Sequence, residues 1–224
     1  MIAIAAVSAL LFARGVSGEP RTLRTSGLAL RKGGDVAGLP PLLGTLVQTH
    51  TGERVPLDDS APAGARFDDL LADRVTGATA SLDPRLLGLL RTLATHYASA
   101  DGGPPRIELV SGFRSPKLNE MMRKKGHHVA SHSQHSLGHA VDFRVVVPCA
   151  GERAKAIECA GAEAVALDPR VVERAIRATG WDGGVGVYTG KDDWFVHADV
   201  GPGRSWFEGP RGAETGGMAR GGER

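Results

Sequence analysis

The sequence predicts a single-domain α+β fold, a small antiparallel sheet with flanking helices, and three observations point to it. Two Asp-Pro pairs, Asp83-Pro84 and Asp168-Pro169, each open a stretch whose apolar residues recur at helical spacing. Short β-type runs gather toward the C-terminal half instead of alternating regularly with helices, which argues against a repeated βαβ arrangement. The chain has 224 residues, 42% hydrophobic and 23% charged, enough for one domain with a core.

Residues 1–18 read as a signal-like leader. Residues 2–12 form an apolar run too short to span a bilayer, followed by Arg14 and by small residues at Val16, Ser17 and Gly18. The pattern suits export to the periplasm or cell envelope, although no basic residue precedes the run; a membrane would be involved only through an uncleaved leader. Residues 19–40, rich in Arg, Gly and Thr, read as a linker. The domain is expected over 41–207.

Within it, residues 45–47 and 54–57 flank His50-Thr51-Gly52 as a hairpin, with Gly52 supplying a positive φ. The helix opened by Asp83 carries Leu86, Leu87, Leu90, Leu93, Ala94 and Tyr97 on one stripe; His96 lies off it, at the surface. Residues 107–110 read as a buried strand that delivers Ser111-Gly112-Phe113-Arg114-Ser115 to its end, where functional loops tend to sit. A helix over 116–125 and a strand over 140–147 follow. The helix opened by Asp168 sets Val171, Val172, Ala175 and Ile176 on one side and ends at Gly180. Strands over 185–188 and 194–200 are joined by a turn at Thr189-Gly190-Lys191-Asp192. Residues 208–224 are Gly, Arg and Glu with almost no apolar content, a disordered tail.

A net charge of +2 does not suggest a nucleic-acid binder. Cys149 and Cys159 form no Cys-x-x-Cys pair and suit a disulfide in an exported protein, the alternative being two free, inert thiols.

The chemistry lies in Ser133-Gln134-His135-Ser136-Leu137-Gly138-His139-Ala140-Val141-Asp142, answered much later by Phe195-Val196-His197-Ala198-Asp199. Two imidazoles and a carboxylate, with a fourth position left to water, are a common ligand set for catalytic zinc. Side chains alternate along a strand, so Asp142 shares a face with Ala140 and Arg144 while His139 falls on the opposite one; this favours His135 over His139. In the last strand Phe195, His197 and Asp199 share a face, and Asp199 suits a carboxylate that orients an imidazole from behind. His127, His128 and His132 read as a solvated loop, with His132 the one able to approach a substrate, and His50 as a hairpin residue. Taken alone, the pattern also fits a structural His beside a surface Asp.

The Ser111-to-Ser115 motif, the Ser133-x-His135-x-x-Gly138-x-Ala140-x-Asp142 motif, and Phe195-Val196-His197-x-Asp199-x-Gly201-Pro202 with Trp206 together resemble the D-Ala-D-Ala metallopeptidase superfamily. Within it, they most resemble the murein endopeptidases of the MepK type. His50-Thr51-Gly52-Glu53 and Asp83-Pro84-Arg85-Leu86-Leu87 extend the similarity to about residues 45–207.

The resemblance implies a hedgehog/D-Ala-D-Ala-peptidase-like fold, a zinc ion held by His135, Asp142 and His197, and hydrolysis of peptide cross-links in peptidoglycan stem peptides; a monomer is expected. The metal would acidify a water and polarise the scissile carbonyl. Arg114 resembles the family arginine near the substrate, able to hold a carboxylate or stabilise an oxyanion; by itself it also reads as a surface ion pair. One departure concerns the general base. Many relatives place a Glu three residues before the last ligand, where this chain has Trp194. Asp193 is the catalytic candidate in its stead, although a straight strand would set it ~13 Å from His197. The MepK-type subgroup also lacks the Glu. The rival readings are a D,D-carboxypeptidase trimming terminal D-Ala, a non-catalytic cell-wall-binding module, and a metal-stabilised structural domain.

Overall fold

The expected hairpin forms from β1 (Gly44–Gln48) and β2 (Arg54–Leu57), with Gly52 at φ +73° between them. The computed structural model describes residues 41–98, 102–125, 133–150, 159 and 161–210. The leader and linker expected over 1–40, the histidines at 127, 128 and 132, and the tail beyond 210 lie outside the described residues.

Helix α1 (Gly64–Leu70) precedes α2 (Pro84–Tyr97), which starts as its sequence requires: the Asp83 carboxylate accepts the backbone N–H of Arg85, and Pro84 occupies the first turn. Strand β3 (Arg106–Ser111) leads into α3 (Pro116–Lys124), capped by the Ser115 hydroxyl, which accepts from Leu118 N–H. A 3₁₀ turn (Gln134–Leu137) ends at Gly138, which is left-handed at φ +73°. Gly138 also sits so close to the Ser81 carbonyl that a side chain would collide with it. Strands β4 (Ala140–Pro148) and β5 (Ala164–Ala166), helix α4 (Pro169–Ala178) and strands β6 (Gly184–Thr189), β7 (Trp194–Asp199) and β8 (Arg204–Glu208) complete the described chain. The disulfide Cys149–Cys159 and a hydrogen bond from Cys149 N–H to Glu163 O fasten the end of the β4–β5 pair. No helix among the described residues is long and apolar enough to cross a membrane.

The fold is α+β, as the sequence predicts. The sheet is larger than expected and mixed: eight strands in the order β2-β1-β3-β4-β7-β6-β8, with β5 on the far part of β4. Its centre is antiparallel, while β1–β3 and β6–β8 run parallel. Strand β8 carries ordered chain through Glu208, one residue into the stretch expected as tail.

One sheet face supplies Ile107, Leu109, Phe143, Val145, Val185 and Val196 to a core closed by α2 and α4. Each such burial contributes on the order of 1.5–3 kcal/mol. The opposite face carries the polar chemistry. An irregularity between Leu109 and Ser111 sets Ser111, not Val110, across from Asp142. Asp142 pairs with His197, His197 with Gly186, and Gly186 with Trp206. Directly paired residues point the same way, so the four strands present one transverse row: Asp142, His197, the gap at Gly186, and Trp206.

Candidate functional site

Three side chains meet on that row. His135 reaches it from the 3₁₀ turn, Asp142 from β4 and His197 from β7, and all three are buried. His135 Nε2 lies 3.1 Å from His197 Nδ1 and 3.2 Å from Asp142 Oδ1, and His197 Nδ1 lies 2.8 Å from the same oxygen. A tetrahedral cation with bonds of about 2.0–2.1 Å has donor–donor edges of about 3.3 Å, so the triangle matches one face of a zinc polyhedron.

The outward atoms of these groups show what the inward atoms must be. His135 Nδ1 lies 2.7 Å from the Gly112 carbonyl, which only accepts, so Nδ1 carries the proton and Nε2 offers a lone pair. His197 Nε2 is 3.0 Å from Asp199 Oδ2 and donates to it, leaving Nδ1 to face the triangle. Asp142 Oδ2 accepts from Arg114 Nη2 at 2.6 Å, which fixes Oδ1 inward. Each inward donor is thus held by an outer partner, as metal ligands require.

The electrostatics favour a positive charge at the centre. Burial, against the pull of Asp142, pushes His135 down to about 4, so the ring is neutral at neutral pH. Burial also pushes His197 down, but the carboxylates of Asp142 and Asp199 outweigh it and raise its affinity for a proton. Burial pushes the Asp142 carboxyl up, yet His135 and His197 in their protonated forms, with the Arg114 guanidinium, hold it well below the ordinary range. A proton or a metal ion would satisfy the convergence of Nε2, Nδ1 and Oδ1, and the donor set fits zinc.

Around this centre, Arg114 is mostly buried, its Nε donating to Ser111 Oγ at 3.1 Å. Asp199 is fully buried and also accepts from Gly201 N–H at 2.8 Å and from Arg204 Nη2 at 2.8 Å. Trp206 lies against His197 with ring centroids 5.0 Å apart, and its indole N–H donates to Tyr188 Oη at 2.9 Å. A methyl at Gly184 would overlap the Asp199 carboxylate and one at Gly186 the Trp206 indole. A pocket opens on this face and is shared by Arg114, Asp142, Phe195 and Asp193, with His50 and Arg74 also on its wall.

The sequence profile of the family described as Peptidoglycan L,D-endopeptidase MepK matches residues 45–166. The chain belongs to this family. Among its relatives, the Probable peptidoglycan L,D-endopeptidase MepK of Haemophilus influenzae is 28% identical over 173 residues, which cover 74% of this chain and 79% of that protein. The Peptidoglycan L,D-endopeptidase MepK of Escherichia coli K12 is 30% identical over 173 residues, covering 74% and 80%. That of Shigella flexneri matches to the same extent. No solved structure matches the chain with significance. The matched profile contains Arg114, His135 and Asp142 but ends before His197, so that imidazole is joined to the site by the fold, through the β4–β7 register.

The expected residues thus fall in different places. His135, Asp142 and His197 meet one another, Arg114 touches Asp142, and Asp199 touches His197. Asp193 lies just ahead of β7, exposed, on the wall of the same pocket. His139 points away and touches Gln134 Oε1 at 3.3 Å. His50 is not only a turn residue, because it lines the pocket. Sequence reasoning missed Arg204, Gly184 and Gly186. The Gly184-x-Gly186 alternation was the available signal, since glycine within a strand marks the close approach of another group.

Proposed function

We propose that this protein is an exported zinc-dependent peptidase that hydrolyses peptide cross-links between peptidoglycan stem peptides. The observation that carries the reading is the convergence of His135 Nε2, Asp142 Oδ1 and His197 Nδ1, each oriented from behind, beside an open pocket that Asp142 lines. Membership of a family whose relatives are named L,D-endopeptidases supports an L,D bond as the one cut.

Bound zinc would supply Lewis acidity for the scissile carbonyl and a more acidic water. His135, Asp142 and His197 would hold the ion, the two imidazoles as neutral ligands whose tautomers Gly112 O and Asp199 fix. Arg114 stands beside Asp142 with its Nη1 uncommitted among the described residues, and donates to the carbonyl oxygen as charge develops on it. Asp193 serves as general base from the pocket wall, taking a proton from the attacking water and passing it to the leaving amine. The Cys149–Cys159 disulfide and the envelope location of the substrate support export.

Zinc content measured alongside digestion of purified muropeptides tests the reading: cross-linked dimers should fall to monomers. Release of free D-Ala alone would point to a carboxypeptidase, and stoichiometric zinc with no cleavage would defeat the enzyme assignment. Asp193→Asn should lower kcat with zinc retained; an unchanged kcat removes Asp193 from the proton path.

A further inference from the structure

The pocket wall carries a second arginine that the hydrolytic reading does not use. Arg74 is exposed and forms no ion pair among the described residues, whereas Arg114 is committed to Asp142. The neighbour of Arg74 is His50, with Nη1 3.5 Å from His50 Nε2. That nitrogen also lies 3.1 Å from the Val110 carbonyl. A carbonyl only accepts, so Nε2 carries a proton and donates to Val110 O, and it has no lone pair for Arg74. The guanidinium therefore borders the pocket with its donors free among the described residues.

Arg74 is nevertheless held in place. The buried Asp73 accepts Val75 N–H at 2.8 Å and Thr76 N–H at 2.9 Å through Oδ1, which fixes the turn that carries Arg74. Its Oδ2 accepts Ser115 N–H at 2.6 Å, at the end of the loop that carries Arg114. Phe113 N–H to Leu71 O, 2.9 Å, ties the same two segments again. One carboxylate thus sets both arginines in a common frame. The pocket they share also has apolar lining from Leu71, Val110, Phe113, Leu118 and Met122. Of the pocket's carboxylates, Asp142 is compensated by Arg114, and Asp193 lies on the β7 side, across β4 and β3 from His50.

We propose that Arg74 is an anion subsite that takes a free carboxylate of the peptide substrate, with His50 framing it. The proposal rests on the reading of this pocket as the site of an acidic wall peptide. His50 follows β1 and Asp142 lies on β4, with β3 between them, so the two ends of the pocket are roughly 10 Å apart across the sheet. An extended peptide advances about 3.3–3.6 Å per residue, which puts the recognised carboxylate about three residues from the scissile bond.

The test uses the full-length zinc-loaded protein and two probes, a synthetic wall stem peptide with free carboxylates and the same peptide with them amidated. Binding is measured by calorimetry and cleavage by steady-state kinetics, in wild type, Arg74→Gln and Arg74→Lys. Wild type should bind the acidic peptide about 10- to 100-fold more tightly than the amidated one. Arg74→Gln should lose that preference through KM with kcat retained, and Arg74→Lys should recover part of it. Equal binding of the two peptides by wild type, or the same preference in Arg74→Gln, overturns the subsite even if cleavage is normal. Carboxylate-dependent binding with no cleavage would leave the subsite standing and remove the hydrolase reading.

Discussion

At the residue scale, Asp199 carries more than its position two residues beyond His197 suggests. It is fully buried, and His197 Nε2 and Arg204 Nη2 share its Oδ2 at 3.0 and 2.8 Å. Burial pushes its carboxyl up, but the His197 hydrogen bond and charge, with Gly201 N–H and Arg204, hold it below the ordinary range. It therefore remains an acceptor at neutral pH and keeps the Nε2 proton in place. Asp199→Ala should weaken zinc affinity about 10- to 100-fold, read by competition with a chromophoric chelator. An affinity equal to wild type would show that the imidazole needs no such partner. Gly186→Ala acts on the same row from the other side: its methyl would overlap the Trp206 indole, so β8 or the ring must move. Quenching and wavelength of tryptophan emission report that displacement, and a spectrum identical to wild type would mean the ring accommodates the methyl.

At the scale of elements, the buried carboxylate of Asp73 joins the turn after α1 to the start of α3. Burial pushes its pKa up, but the Ser115 hydroxyl and the backbone N–H groups of Thr76, Ser115 and Val75 outweigh it and hold it down to about 2. An unfolded Asp titrates near about 3.9, so the folded value is depressed. The stabilisation, about 2 kcal/mol, is complete above pH about 4 and lost as pH falls from about 4 to about 2. Asp73→Asn should cost about 1–3 kcal/mol at neutral pH in urea unfolding, and the gap to wild type should narrow by about 2 kcal/mol at pH 2. A gap independent of pH would mean that the carboxylate charge contributes nothing. Neither this tie nor α1 is legible in the sequence. Helix α1 starts at Ala63 with no side-chain cap and buries only Phe67 and Leu70, whereas α2 and α4 are announced by Asp83-Pro84 and Asp168-Pro169. Strand β8, mostly exposed, lacks the alternation that marked β4 and β7, and its parallel pairing with β6 leaves no local trace. Parity along β4 and β7 was readable because period-two alternation is local, while the sheet order that sets β7 beside β4 is not.

For the whole molecule, the proposed metal would be coupled to the fold. The donors come from a 3₁₀ turn, β4 and β7, separated by up to 62 residues of chain and brought together only in the native state. A cation that binds this arrangement and not the unfolded chain stabilises the fold by mass action, by about 4 kcal/mol at a thousand times its Kd. For a protein of this size each kcal/mol is worth about 2–4 °C, so saturating zinc should raise Tm by about 8–16 °C over the chelator-treated protein. His135→Ala removes one corner of the triangle and should abolish both the shift and the activity, while its metal-free Tm reports the cost of losing the buried imidazole alone. The shift should also shrink in acid, because His197 gains protons there and each must leave before a ligand lone pair is free. A melting curve indifferent to zinc and chelator at neutral pH would mean that the three donors are a structural polar cluster and that the site does not hold the metal.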